Sequence, residues 1–289
     1  MRAVVFKGPY HVEVEDRPVP KVQLPTDAIL KKCYDCARGQ ASRCENGELF
    51  GNSAPANTID GGQAEYVRVP LASTTLVKAP NAIPEEMLVL MADIFPTGYF
   101  AAARFLKDLN SKDQDEFTTV VIGCGPVGIC AIVTALTMTK RVYAIDPSPE
   151  RLAEAERIGA IPINLADDPV RKIKAVSGGR GADVVMEIVG HADAFMLAFD
   201  LIKPWGKISS VGVHTEPLPL HGLMCYGKNV TMAFGRCPVR SIFEEALSLL
   251  VQEQNKVKFL CETVMSLEDA PQAYKDFEAR KVHKVVFKI

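Results

Sequence analysis

The sequence predicts an α/β fold in which helices cover both faces of a parallel sheet. Three observations predict this fold. Apolar strands alternate with helical segments from about Phe117 to Gly235, a pattern typical of parallel sheets. A glycine-rich turn directly follows the first of these strands. The chain has 289 residues, which leaves room for a second, smaller unit beside the sheet.

The first part of the chain has an irregular, β-like pattern. A polar stretch with little periodicity, Cys33–Gly62, interrupts it. Short apolar and β-branched segments around this stretch predict four strands, at Ala3–Phe6, Val12–Val14, Ala28–Leu30 and Ala64–Val69.

The central part alternates regularly between strand and helix. The predicted strands are Thr118–Ile122, Val142–Ile145, Ile161–Leu165, Asp183–Val189 and Lys207–Val211. The predicted helices are Pro126–Met138, Pro149–Ile158, Pro169–Val176 and Ala192–Ile202. Strands and helices at this spacing specify a parallel sheet wound on both sides. The remaining pattern predicts a strand at Val230–Phe234, helices near Ile242–Gln252 and Leu267–Ala279, and a last strand at Lys284–Ile289.

Composition excludes several classes of partner. A net charge of −2 provides no basic field for nucleic acid. No apolar run approaches the roughly 18 residues needed to cross a bilayer. Eight cysteines scattered through a chain of this size favour a reducing compartment. We therefore expect a cytoplasmic protein that binds neither nucleic acid nor membrane.

The glycine-rich turn, Gly123–Gly128, lies between a predicted strand and a predicted helix, and we call it the phosphate loop. Its first glycine permits the tight turn, its second lets backbone N–H groups approach a pyrophosphate, and its third lets helix and strand pack closely. The helix N-terminus then faces the phosphate charge. A glycine-rich turn without a ligand is the alternative interpretation. The predicted cofactor contacts in the loop are Gly123, Gly125, Pro126, Val127 and Gly128.

Asp146 stands 18 residues after Gly128, at the end of the next predicted strand. A carboxylate there accepts hydrogen bonds from the adenosine ribose and repels a 2′-phosphate, so the sequence predicts NAD(H) rather than NADP(H). Arg151 follows closely and is predicted to lie along the ribose. The alternative is a solvated acid in a loop.

With these motifs, the chain resembles the medium-chain dehydrogenase/reductase superfamily. It resembles the zinc-type alcohol dehydrogenases, and among them the branch that contains glutathione-independent formaldehyde dehydrogenase. Besides the phosphate loop, the resemblance rests on Met1–Phe6, Pro25–Ala28, the hinge-like Asp93–Ala101, Ile208–His214 and Gly235–Val239.

The resemblance implies two domains with the active site between them. Residues 1–92 and 262–289 would form a truncated GroES-like β domain, and residues 93–261 a Rossmann nucleotide-binding domain. Val189 and Val213 would line the nicotinamide pocket, although packing in the core is their alternative role. The further cofactor residues that the resemblance implies are Thr97 beside the nicotinamide, Gly190 and His214 in its pocket, and Lys284 near the pyrophosphate.

The catalytic zinc site of the family is incomplete in this sequence. In this branch a cysteine, a histidine–glutamate pair and an aspartate hold the metal, and a hydroxyl and a histidine relay the proton. Here Ile29–Lys32 runs straight into Cys33, so roughly sixty residues of the family pattern are missing. Only Asp93 remains at a ligand position. Since a catalytic zinc needs three protein ligands, we predict that this site is lost.

Cys33, Cys36 and Cys44 match the last three of the four cysteines that hold the family's structural zinc. Leu30 occupies the position of the first. A closed structural site normally has four ligands. The alternatives are therefore a residual zinc site and three free thiols on a loop.

The first functional hypothesis is an NAD(H)-dependent oxidoreductase that acts without zinc on a small carbonyl, alcohol, enone or imine. Its cofactor performs the hydride transfer. The polar candidates for catalysis are Asp93, Tyr99 and His214.

Two alternatives stay open at this point. The shortened β domain predicts a wider cleft, which suits a non-redox isomerase, lyase or cyclase. A degraded relative that only binds ligand is the other. In addition, the segment Asn229–Phe234 resembles the strand through which family members pair sheets into homodimers. An edge blunted by Lys228 and Arg236 is the alternative there.

Overall fold

The computed structural model describes residues 1–19, 33–45, 47–51, 58–70 and 72–289. These residues form two compact units, one of residues 1–89 with 258–289 and one of residues 90–257. Whether the units coincide with the predicted domains stays a prediction.

In the described ranges the strands are β1 Arg2–Gly8, β2 His11–Asp16, β3 Leu49–Phe50, β4 Thr58–Ile59, β5 Thr119–Ile122, β6 Val142–Asp146, β7 Ile161–Asn164, β8 Ala182–Glu187, β9 Ile202–Ser210, β10 Thr231–Phe234, β11 Thr263–Ser266 and β12 Val285–Lys288. The α-helices are α1 Tyr34–Ala37, α2 Ala72–Thr75, α3 Glu85–Leu88, α4 Ile94–Leu106, α5 Ser111–Glu116, α6 Pro126–Leu136, α7 Pro149–Arg157, α8 Pro169–Val176, α9 Ala192–Leu201, α10 Gly222–Lys228, α11 Val239–Val257 and α12 Ala270–Glu278. Short 3₁₀ helices lie at Ala41–Arg43, Val89–Ala92, Lys258–Cys261 and Leu267–Asp269.

The unit of residues 90–257 is built on a six-stranded parallel sheet in the order β10-β9-β8-β5-β6-β7. All residues of β5, β6 and β8 are buried. Such continuous apolar strands belong in a sheet that is covered on both faces. The chain winds outward from β5 through β6 to β7 and then returns to β8 on the other side of β5. Because crossovers between parallel strands are right-handed as a rule, such a reversal leads to helices on both faces. The six-stranded parallel sheet confirms the predicted fold class.

Helix α4 packs closely on α6 within this unit. A Cβ added at Gly98 would stand 2.6 Å from the backbone nitrogen of Ala131 and from Cβ of Cys130. Phe95, Ala101 and Leu106 of α4 are fully buried. The segment that the resemblance suggested to be hinge-like is therefore the start of a buried helix.

The other unit carries only two-stranded sheets in its described part: β1 with β2, β3 with β4, and β11 with β12. The strand predicted at Ala64–Val69 is wrong. Only Ala64 forms a bridge, to Ala3 of β1, and Tyr66 is exposed. A strand needs a continuous ladder of paired residues, and in this segment only Ala64 has a paired residue. The strand predicted at Ala28–Leu30 lies outside the described residues.

In the described ranges no single helix is long and apolar enough to cross a bilayer. The consecutive pair Glu85–Ala92 and Ile94–Leu106, bent by 55°, reaches that length and composition together.

Candidate functional site

The phosphate loop turns sharply between β5 and α6. Gly123 has φ +95°, a conformation that side chains disfavour. Gly128 sits so close to the strand end that an added Cβ would lie 1.8 Å from the carbonyl oxygen of Gly123. Turn and close packing therefore account for the first and third glycines without any ligand.

Gly125 has a different environment. It precedes the first residue of α6 with φ −70° and ψ −176°, which any residue can adopt. An added Cβ would meet nothing within 4 Å. No side chain caps this helix N-terminus, and Pro126 occupies its first turn. The loop therefore leaves open space in front of backbone N–H groups that favour an anion.

Asp146 ends β6 beside the loop, and its side chain is 3% exposed. One carboxylate oxygen accepts the N–H of Cys124 at 2.8 Å, and the other accepts the N–H of Ser148 at 2.9 Å. Arg151 approaches to 3.9 Å. A carboxylate has about four acceptor positions, so positions remain for ribose hydroxyls. Asp146 is not a solvated loop acid, because it orders the loop.

Two valines are exposed where β8 and β9 end. Val189 is 54% exposed and Val213 is 81% exposed. Gly190 and Gly212 bring the two strand ends into close contact, since a Cβ at Gly212 would stand 2.1 Å from the nitrogen of Gly190. Val189 also borders the phosphate loop: its Cγ2 lies 2.8 Å from the Cβ position of Gly123. The alternative in which both valines pack in the core is therefore wrong.

A buried polar cluster lies behind these valines. Glu187 accepts the N–H of Gly190 at 2.6 Å and the hydroxyl of Ser210 at 2.7 Å. Nε2 of His214 is 3.0 Å from Glu187 and 2.9 Å from Ser210. The sequence pointed to His214 but not to Glu187 or Ser210. An acid inside an otherwise apolar predicted strand was the available signal.

Asp93 and Thr97 form a second polar group at the start of α4. The Thr97 hydroxyl donates to the Asp93 carboxylate at 2.8 Å and is also hydrogen-bonded to Cys237. Burial raises the pKa of the Cys237 thiol to about 12. Asp93 itself is exposed.

Tyr99 lies on the same helix but faces another partner. Its hydroxyl donates to Glu245 of α11 at 2.7 Å, and Lys107 donates to both oxygens of that glutamate at 2.8 Å. Burial and the bond to Glu245 raise the pKa of Tyr99. Its hydrogen bond therefore does not join it to Asp93 or His214.

Cys33, Cys36 and Cys44 bring their sulfur atoms within 4.8 Å of one another. The sulfurs of Cys33 and Cys44 are 3.9 Å apart, close to the ~3.8 Å edge of a tetrahedron with ~2.3 Å zinc–sulfur bonds. Backbone N–H groups of Cys36 and Glu45 lower the pKa of Cys33 to about 7. Leu30 lies outside the described residues. In the described ranges this is the one group of three such side chains close enough to share a metal.

Lys284 belongs to the other compact unit. There it lines a small groove with Tyr274, Phe277 and Phe287.

The chain is similar to known proteins over its whole length. A family profile described as zinc-binding dehydrogenase matches residues 126–252. The zinc-type alcohol dehydrogenase B of Aspergillus flavus is 40% identical, and the match covers 100% of this chain and 81% of that protein. A medium chain reductase/dehydrogenase of an Acremonium species, ucsI, is 37% identical over 76% of this chain and 96% of its own. An alcohol dehydrogenase structure from a Thermus species superimposes with a TM-score of 0.89 at 27% identity and covers 100% of both chains.

The Aspergillus comparison bears on the missing segment. The alignment runs over 351 positions and this chain has 289 residues, so at least 62 positions have no counterpart in this chain. This agrees with the roughly sixty residues that the sequence predicts to be absent.

Proposed function

The chain belongs to the zinc-type alcohol dehydrogenases of the medium-chain dehydrogenase/reductase family, and on this premise we propose an NAD(H)-dependent oxidoreductase that acts without catalytic zinc on small organic substrates. The substrate classes are carbonyls, alcohols, enones and imines. The family makes the chain a dehydrogenase-like enzyme. The cofactor, the metal and the substrate class belong to the proposal.

The observation that carries the proposal is the open space at Gly125. The other two glycines of the loop are explained by backbone contacts, whereas Gly125 has neither a positive φ nor a close neighbour. A pyrophosphate against the first turn of α6 supplies the missing reason, because a Cβ at this position would point toward it.

The choice of NAD(H) rests on Asp146. The buried carboxylate is fixed by two backbone N–H groups and cannot turn away from an added negative charge. A 2′-phosphate beside it would therefore be repelled. Arg151 lies 3.9 Å from the carboxylate of Asp146, which supports the proposal that it lies along the ribose.

The residues around Asp93 do not fit a catalytic zinc. The ligand set would need three protein donors with one open position. Asp93 is held by Thr97, and no His/Cys/Asp/Glu group of three includes it in the described part of the chain. We therefore assign no step to zinc at this position.

The remaining chemistry falls to the chain's own residues. A bound nicotinamide would supply the hydride. Val189 and Val213 would exclude water from its ring, since both are exposed and apolar. Asp93 is the catalytic candidate left to hold or move a proton, because it is exposed and its carboxylate has acceptor positions beside the hydrogen bond from Thr97. The hydroxyl of Tyr99 and Nε2 of His214 are instead paired with Glu245 and Glu187.

The three cysteines supply three of the four ligands of a structural zinc site. Two of their sulfurs already stand at the separation that a tetrahedral site requires. We propose that they hold one zinc ion, which would pin the loop that begins at Cys33.

A substrate panel tests the proposed function. Protein treated with a strong chelator is mixed with NADH and representative aldehydes, ketones, enones and iminium ions, and the nicotinamide absorbance band is followed. We expect loss of reduced cofactor with at least one class, unaffected by the chelator. Activity that disappears on chelation while the melting temperature shows that the protein is still folded, and that returns only with zinc, would contradict the zinc-free mechanism. Binding of NADH without turnover of any class would remove the redox assignment.

The non-redox alternative is not favoured, because the relatives are named as dehydrogenases or reductases. A cytoplasmic location and a homodimer stay proposals. Lys228, the residue suggested to blunt the β10 edge, donates its amine to the carbonyl of Ile202 at 3.1 Å. It is therefore directed onto its own unit, which supports pairing through β10.

A further inference from the structure

Glu187 is a carboxylate with 0% exposure at the carboxyl end of the central strand β8. Burial of a charged group is costly unless hydrogen bonds and charges satisfy it. Here one oxygen accepts from Gly190, and the other accepts from Ser210 and lies 3.0 Å from Nε2 of His214. The acid thus ties the end of its own strand to the end of β9.

These contacts indicate which ring nitrogen of His214 carries the hydrogen. An ionised carboxylate only accepts, and the single hydroxyl hydrogen of Ser210 is donated to Glu187. Nε2 must therefore carry a hydrogen to satisfy either neighbour. Nδ1 is buried and has no hydrogen-bond partner among the described residues. Phe195 and Phe234 lie edge-on to the ring at 5.7 and 6.0 Å, so packing also restricts its orientation.

The cluster lies where the order of the strands reverses, between β5 and β8. β8 and β5 are neighbours on opposite sides of the reversal, and ligands of such sheets lie outside the carboxyl ends of these strands. Gly190 and His214, which Glu187 holds, adjoin the exposed Val189 and Val213. A change at Glu187 therefore acts first on Gly190 and His214, and through them on the exposed surface of Val189 and Val213.

We propose that Glu187 is a positioning residue that fixes Gly190 and His214 as the wall against which the nicotinamide end of the cofactor lies. This inference rests on the proposed function for its ligand. It assigns to Glu187 no contact with the reacting atoms. The hydrogen on Nε2 of His214 depends on the same contacts, so its presence reports whether the carboxylate of Glu187 is in place.

Glu187→Gln tests the proposal with two ligands and one spectroscopic signal. The amide cannot accept from Gly190, Ser210 and His214 together. The population of His214 that carries its hydrogen on Nε2 should therefore fall. The ¹⁵N chemical shifts of selectively labelled histidine measure this change in the cofactor-free protein. NADH should bind about tenfold more weakly. ADP, which lacks the nicotinamide, should bind as tightly as to the wild type.

Asp183→Asn is the matched control. Asp183 is a buried carboxylate on the same strand, but it accepts the N–H of Thr118 at the opposite edge of the sheet. We expect its substitution to lower the melting temperature without changing the His214 signal or either affinity. If Glu187→Gln does not fold, Ser210→Ala is the second variant, because it keeps the carboxylate of Glu187. It should weaken the binding of NADH by about threefold and leave the binding of ADP unchanged.

The outcomes are distinct. Three results in Glu187→Gln would overturn the positioning role. They are an unchanged His214 signal, an unchanged NADH affinity, and an equal loss of affinity for NADH and for ADP. Wild-type protein that binds neither ligand overturns the proposed function instead, while the His214 signal still decides whether Glu187 sets the ring.

Discussion

At the residue scale, Gly125 and Gly128 stand three positions apart in one loop and have opposite reasons to lack a side chain. At Gly128 the reason lies in the protein, because a Cβ would overlap the carbonyl of Gly123. At Gly125 the surroundings are open. The sequence shows both glycines in one motif, but only the structure separates the packing role of Gly128 from the proposed ligand role of Gly125.

Gly125→Ala and Gly128→Ala should therefore differ in kind. We expect Gly125→Ala to change the free energy of unfolding by less than about 0.5 kcal/mol and to weaken NADH binding by about tenfold or more. Gly128→Ala should cost about 3 kcal/mol or more, at the upper end for overpacking. Denaturant unfolding and fluorescence titration check both. Equal NADH affinity in Gly125→Ala and wild type would contradict the ligand role.

Asp146 combines a structural and a selective role, because it orders the loop and carries the charge that would repel a 2′-phosphate. Asp146→Asn keeps the shape and removes the charge. We expect NADH to bind more weakly and NADPH more tightly, so that the ratio of their dissociation constants changes by about tenfold. Competitive titration measures the ratio. A variant that keeps the wild-type ratio would show that Asp146 does not select the cofactor.

At the element scale, the close packing of helix α4 on α6 is a feature that the sequence alone did not reveal. The resemblance described Asp93–Ala101 as hinge-like, yet its proline is tolerated in the first turn of a helix, and Gly98 permits the close approach to α6. Gly98→Ala should destabilise the protein by about 1–3 kcal/mol in denaturant unfolding. An unchanged midpoint would mean that α4 and α6 are not so closely packed.

The elements of the sheet were predictable for a physical reason. Strands β5, β6 and β8 are buried throughout, so their apolar runs and the glycine and proline residues at their ends were readable locally. Ala64–Val69 shows the opposite case. Its apolar and β-branched residues are typical of a strand, but pairing depends on a neighbour that the local sequence does not reveal. The cluster at Glu187 depends on two strands meeting, and the sequence pointed to His214 alone.

The three-cysteine segment makes a prediction about metal content. We expect one zinc ion per chain by elemental analysis, and loss of that zinc with a lower melting temperature in Cys36→Ser. Cys225→Ser, at a cysteine on α10, is the control that should retain the metal. Metal-free wild-type protein that melts at the same temperature as the zinc-loaded protein would identify three free thiols instead.

At the scale of the whole molecule, the exposed β10 edge predicts assembly. Edge strands with free backbone groups favour pairing with a second copy. We expect sedimentation at about twice the chain mass of 31.5 kDa. A species of single-chain mass across the accessible concentrations would contradict the homodimer.

The proposed function requires a nicotinamide dinucleotide to bind at the carboxyl ends of β5 and β8, on the phosphate loop at Gly125. Calorimetric titration of the purified chain with NADH tests it most directly. We expect one saturable site per chain and a markedly weaker response to NADPH. A titration without binding heat, together with a melting temperature that excess NADH leaves unchanged, would contradict it.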